Sequence, residues 1–192
     1  MKFSVKTLVS IALLSSLSAV LFMLEIPIVM FYKLDLSNLP VLLGSFAFGP
    51  VAGLIIAFIK DLLGLLHSST GGIGELADFL AVLPFALICG HMYRAHKTKK
   101  VALLSMLIST LAASVVSVLL NAYLLIPLLI PNNGLQVVAN SASKIFPFIS
   151  NGLQFLLLIT LPFNLLKGFV VNGLTFVVYK KISVFLTKES AS

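Results

Sequence analysis

Apolar residues gather in runs of bilayer length at 8–24, 76–93, 101–125 and 155–179, each bounded by polar, glycine- or proline-bearing segments. A helix rises about 1.5 Å per residue, so some 20 residues cross a ~30 Å hydrocarbon core, and each run predicts one transmembrane helix. The run at 39–66 is longer and is punctuated by Gly44, Gly49, Pro50 and Gly53. It reads either as one kinked helix or as two short helices that turn at Gly49-Pro50. The first of those halves has only about 10 residues and cannot cross unaided. It must be tilted, met by a thinned bilayer, or continued by the loop before it.

Charge decides between the two readings. Lys2 and Lys6, then Arg94, Lys97, Lys99 and Lys100, then Lys180, Lys181 and Lys188 form three basic clusters flanking apolar runs. Cytoplasmic flanks carry an excess of Lys and Arg, so an even number of spans must separate the first two clusters. The split satisfies this. The expected fold is an all-α membrane protein, a six-transmembrane-helix bundle with both termini cytoplasmic. Its spans fall at about 7–25, 39–49, 51–67, 75–93, 101–126 and 154–180, in one integral membrane domain covering 1–192. The first run reads as a span and not as a cleavable leader: it is long for such a segment, and its loss would upset the parity. Glu25, Asp35, Glu75 and Asp78 then fall near the outer face, and Tyr32, Tyr93, Tyr123 and Tyr179 near helix ends as interfacial anchors. The irregular segments 25–38, 67–74 and 130–152 lie together on the outer side, where recognition is expected.

Composition agrees: 59% of the 192 residues are hydrophobic and 10% charged, against about 25% charged in a soluble domain. The net charge of +7 is a matter of topology and not a nucleic-acid footprint, because it sits in flanking clusters. Cys89 is the single cysteine, which rules out an internal disulfide. No phosphate-binding P-loop, zinc-binding His pattern or nucleophilic-serine motif is present, so neither an enzyme nor a metal site is expected.

Lys167 lies deep in the last apolar run with Asn164 three residues before it, on the same helix face. A lysine there costs at least ~2.5–3.5 kcal/mol to insert. It either snorkels or pairs with Asp61 or Asp78 for structural reasons, or it lines a cavity and binds something. Lys60-Asp61 is a second such pair, open to an interhelical or a substrate-contacting role. Further polar material converges from Asp35 and Asn38, from Gly74, Glu75 and Asp78, and from Asn121. The Gly71-Gly72-Ile73-Gly74 turn is either a plain tight turn or a set of N–H groups offered to an anion. Ala12/Ser16 and Ser15/Ala19 make small-residue stripes on the first helix, suited to close helix packing within the chain or against a partner.

The stretches Lys33-Leu34-Asp35-Leu36-Ser37-Asn38-Leu39-Pro40, Phe46-Ala47-Phe48-Gly49-Pro50-Val51-Ala52-Gly53, Lys60-Asp61-Leu62-Leu63 and Thr70-Gly71-Gly72-Ile73-Gly74-Glu75-Leu76-Ala77-Asp78-Phe79-Leu80 resemble the substrate-binding S component of energy-coupling factor (ECF) vitamin transporters, most closely its riboflavin-specific members. The match is dense over 33–80 and looser toward Asn164 and Lys167. The resemblance implies a multi-pass protein of the bacterial cell membrane that captures riboflavin from outside, as a transported ligand and not a cofactor, beneath a lid made by the first outer loop. It implies a transmembrane coupling subunit and two ATP-binding subunits as partners, and reorientation in the bilayer as the transport step. Asn164 and Lys167 would meet the carbonyl and imide groups of the ring. Asn121, Glu75, Asp78 and the Gly74 turn would meet the ribityl hydroxyls, and Leu34, Asn38, Leu39 and Phe79 would close over the site. The docking face would be the small-residue stripe of helix one, where Ala12, Ser15, Ser16 and Ala19 depart from the family's Ala-x-x-x-Ala. The alternatives are an S component for another vitamin, or a membrane scaffold subunit with no small ligand.

Overall fold

Helix α1 (Val5–Met23) begins where Ser4 caps it, its hydroxyl accepting from the Thr7 amide at 3.2 Å, which satisfies one of the orphan donors of the first turn. The computed structural model describes residues 3–189, with side chains through Tyr179. Lys2 and the side chains of Lys180, Lys181 and Lys188 therefore lie outside the described residues. Among the described residues, five helical segments are long and apolar enough to cross a membrane. They are α1, α3 (Pro50–His67), α4 (Ile73–Ala95), α5 (Lys99–Leu129) and α7 (Gly152–Tyr179), the last running on as helical backbone to Glu189. Two shorter helices are α2 (Asn38–Phe48) and α6 (Gly134–Ser143).

The break between α2 and α3 comes from local chemistry. Gly49 has φ 93° and ψ 177°, a conformation essentially reserved for glycine. Pro50 follows at the first helical position, where its missing N–H costs nothing. The end of α4 crosses this corner at Gly90, where an added Cβ would sit 2.6 Å from the Pro50 Cα. Thr98 and Asn151 cap α5 and α7, accepting from the Val101 and Gln154 amides at 3.2 and 2.9 Å.

Each of α4, α5 and α7 contains one widened, π-type turn, at Phe85–Cys89, Asn121–Leu125 and Leu156–Thr160. The last two are followed at once by Pro127 and Pro162. A proline inside a helix removes a hydrogen bond and pushes off the carbonyl four residues earlier, so the turn before it loosens.

Not all of the segment between α1 and α2 is loop. A two-stranded antiparallel hairpin, β1 (Ile26–Val29) and β2 (Tyr32–Leu34), pairs Ile26 with Leu34 and turns at Met30 with φ 51°. It adds a β element to the all-helical expectation. Its strands are too short for an alternation signal, and it lacks the Asn-Gly turn that usually marks a hairpin.

Helix α3 packs against α1, α2 and α4, α5 packs against α4 and α7, and α2 also reaches α4 and α7. Outward faces stay apolar, with Leu8, Leu13, Leu104, Leu111, Leu158 and Leu166 exposed, as lipid-facing positions must be. Of the four tyrosines expected as interfacial anchors, Tyr123 is 80% exposed. Tyr32, Tyr93 and Tyr179 are buried, with Tyr93 and Tyr179 hydrogen-bonded to each other. A phenol turns inward when a polar partner waits there.

Candidate functional site

The site is built around the underside of the hairpin. Tyr32 points inward and is 7% exposed. Its ring stacks on Phe163 at 5.0 Å between centroids, with Phe155 at 6.2 Å on a nearly parallel plane. Its hydroxyl donates to Asn121 Oδ1 at 3.0 Å and shares a hydrogen bond with Thr160 Oγ1 at 2.5 Å. Burial raises the Tyr32 phenol well above its ordinary pKa, so it stays neutral and able to donate. Asn121 opens one π-type turn and Thr160 closes another. Such turns shift side chains out of helical register and recur at functional sites. Here they bring two partners to one hydroxyl.

Beside Tyr32 lies a layer of five ionisable side chains. Lys167 Nζ donates to Asp35 Oδ2 at 2.7 Å and is 3.8 Å from Asp78 Oδ1. Asp78 also takes a hydrogen bond from Lys60, which is 3.1 Å from Asp61. Asp35 is held in turn by the Ser37 amide at 2.9 Å and by the Ser37 hydroxyl. Removing ions from water costs several kcal/mol each, and pairing of this kind is what offsets it. Asp35, in the link from the hairpin to α2, thus ties the hairpin segment to α7.

Between these groups is a cavity of about 170 Å³, walled by the hairpin (Phe31, Tyr32), α4 (Gly74, Asp78), α5 (Ser117, Asn121) and α7 (Phe163, Asn164, Lys167). Asn164 is oriented by its amide, which donates to the Thr160 carbonyl at 2.8 Å. Asn121 is oriented likewise by the Ser117 carbonyl at 2.8 Å. Their side-chain oxygens, the Lys167 ammonium and the Asp78 carboxylate give this wall both acceptors and donors around aromatic surface. That combination suits a small ligand with a flat ring and hydrogen-bonding edges.

Of the residues read from the sequence, Gly74, Asp78, Asn121, Asn164 and Lys167 line this cavity, and Asn38 lines a smaller hollow beside it. The others lie elsewhere. Leu34 ends β2, and Leu39 packs on the core cluster around Leu42 and Phe46. Glu75 and Phe79 face a separate apolar hollow with Phe58 and Leu62. Glu75 accepts from the Ser68 and Thr70 hydroxyls at 2.8 and 3.3 Å, and those hydroxyls accept from the Gly72 and Gly74 amides at 2.9 Å. The glycine turn is therefore a self-capped helix start, and those two amides are already used.

On α1 the small-residue stripe divides. Ser15 and Ala19 are buried inside the bundle, while Ala12 and Ser16 are exposed on the outward face. Sequence reasoning did not single out Tyr32, Thr160, Ser114 or Ser117 for the site. Ser114, Ser117 and Asn121 stand at i, i+3 and i+7, and that polar stripe in an apolar helix was the available signal. Among the described residues, no group of three or more His, Cys, Asp and Glu side chains is arranged to hold a metal.

Residues 6–179 match the family described as "ECF transporter, substrate-specific component". The riboflavin transporter RibU of Staphylococcus aureus (strain TCH60) is 33% identical over 95% of this chain and 93% of its own length. The riboflavin transporter FmnP of Bacillus subtilis (strain 168) is 26% identical over 98% of this chain and 97% of its own. A solved structure of the S component of a bacterial ECF transporter superposes with a TM-score of 0.73 at 32% identity, covering 94% of this chain and 97% of that one.

Proposed function

The chain belongs to the family of substrate-specific components of ECF transporters, a multi-pass membrane family of transport subunits and not of enzymes. From that premise we propose that it captures riboflavin at the outer face of the bacterial cell membrane. A transmembrane coupling subunit with two ATP-binding subunits then drives the vitamin inward as a transported ligand. The observation that carries the substrate is that full-length relatives at 33% and 26% identity are riboflavin transporters.

The chemistry of the cavity supports this reading. Riboflavin joins a flat ring, edged by carbonyls and an imide N–H, to a chain of hydroxyls. Lys167, Asn164 and Asn121 offer the donors and acceptors such edges need, and Phe163 and Tyr32 offer ring faces. The cavity's 170 Å³ is smaller than the ~300–1,000 Å³ typical of small-molecule sites. The hairpin must therefore lift, and Tyr32 must release Asn121 and Thr160, before a ring can enter. The polar edge of the ligand then takes over those partners.

The six-span arrangement with both termini cytoplasmic belongs to the same proposal. Arg94, Lys97, Lys99 and Lys100 cap the end of the bundle remote from the hairpin, as inward flanks should. Helix α2, at 11 residues, is too short to span a full core alone. For the coupling subunit, Ala12 and Ser16 are the pair left on the outward face of α1, where a second helix could approach closely.

The purified protein should quench riboflavin fluorescence one-to-one with nanomolar affinity and carry a yellow ligand through purification. Unquenched riboflavin alongside tight binding of thiamine or biotin would move the protein to another vitamin. No thermal shift with any vitamin would favour a scaffold subunit.

A further inference from the structure

A second hollow lies deeper in the bundle than the cavity. Its lining moves inward from Gly74 to Val82 on α4, from Asn121 to Ser114 on α5 and from Phe163 to Val171 on α7. The two spaces share Asp78, Ala81, Ser117, Asn164 and Lys167, so they lie on the two sides of one mainly polar layer. The deeper one measures about 30 Å³, room for one or two water-sized groups and not for a ring.

Two buried polar atoms line it without a hydrogen-bond partner among the described residues: Asn38 Oδ1 and Ser114 Oγ. Their residues are 5% and 1% exposed. Buried polar atoms are rarely left unpaired, and each such case calls for a reason. The two arrive from different elements, Asn38 from the first turn of α2 and Ser114 from mid-α5. An amide oxygen only accepts, a hydroxyl both gives and takes, and the Lys167 ammonium at the rim only gives. The group that satisfies all three is small and neutral, with an N–H or O–H to donate and a lone pair within or beside it.

We propose that the deeper hollow is a recognition subsite for the innermost N–H- or O–H-bearing group of the bound ligand. Asn38 accepts its hydrogen bond, and Ser114 completes the set from the opposite wall. This assignment rests on the riboflavin reading above. Riboflavin has two groups of this chemistry, the imide N–H with its flanking carbonyls and the hydroxyls of the ribityl chain. Asn38 and Ser114 are thereby specificity-determining residues, because a ligand lacking the group leaves both atoms buried and unpaired.

The test is a binding series by fluorescence quenching. It uses riboflavin, 3-methylriboflavin, which lacks the imide N–H, and lumiflavin, which lacks the ribityl hydroxyls. Each is titrated into the unaltered protein, Asn38→Leu and Ser114→Ala. Both substitutions should weaken riboflavin by roughly 10- to 100-fold. The same substitutions should leave unchanged the affinity for whichever analogue lacks the group that sits in the hollow, and that analogue should bind the unaltered protein more weakly. A loss of the same factor on all three ligands, or on none, overturns the proposal, and is the result expected if water alone fills the hollow. Ser114→Ala removes a single oxygen, so the test survives if Asn38→Leu does not fold. An unaltered protein that ignores riboflavin sinks the substrate reading, and this subsite with it.

Discussion

The charged layer of this bundle has a sealed end and an open end, and a lysine marks each. At the sealed end Lys60 is 0% exposed, between Asp61 and Asp78, with the Phe22 ring 4.8 Å from its ammonium. At the open end the Lys167 side chain is 14% exposed on the cavity wall, paired with Asp35 and near Asp78. Both lysines face the same insertion penalty, and one carboxylate, Asp78, serves both. They differ in what occupies the remaining side of the ammonium. For Lys60 it is a phenyl ring of the same chain, attractive to a cation and closed to solutes. For Lys167 it is a space that another molecule can occupy. A buried charge therefore signals a binding role only where its pairing is incomplete on the side of a cavity.

The widest separation of the two ends should come from Lys60→Ala. It strands Asp61 in the bundle and takes from Asp78 its nearer cation, so heat unfolding in detergent should show a loss of ~3–5 kcal/mol. The double variant Lys60→Met with Asp61→Leu should recover part of that loss. If the double variant is worse than the single one, the sealed end is not held by this pairing. Lys167→Ala should act in the other column, weakening riboflavin by roughly 10- to 100-fold at a smaller stability cost, because Asp35 keeps the Ser37 amide and hydroxyl and Asp78 keeps Lys60. Equal affinity in folded protein would make the two lysines alike and dissolve the contrast.

Tyr32→Phe should come next. It deletes the hydrogen bonds to Asn121 and Thr160, worth ~1 kcal/mol. Amide exchange across 26–34 should then speed up by about fivefold, with little change elsewhere. Exchange that does not change would mean the hairpin is held by stacking alone. The smallest effect belongs to Lys33→Ala. Lys33 and Glu25 pair across the base of the hairpin, but their side chains are 42% and 36% exposed, so stability should move by less than ~0.5 kcal/mol.

The helices were legible because lipid imposes one rule on every outward face, which leaves apolar runs of bilayer length in the sequence. The turn at Gly49-Pro50 was legible because a positive φ and a missing N–H are local demands. Asn164 and Lys167 stood out as polar residues in an apolar run. The hairpin did not, since seven strand residues without a turn signature carry too little pattern. Nor did Tyr32, which from composition alone belonged at the membrane interface with the other tyrosines.

By itself, then, the sequence determined what depends on solvent and on near neighbours: that the chain lies in a bilayer, where its helices start and break, and which polar residues needed an explanation. Only the tertiary structure decided the partners. It gave Lys167 to Asp35, 132 positions away, and sealed Lys60 under Phe22. It turned Glu75 and Phe79 from the cavity that holds Asp78, and left Asn38 and Ser114 facing one small space. Hydrogen bonds and ion pairs reach about 3 Å, and spacing along a chain does not say which distant atoms packing will bring within that reach.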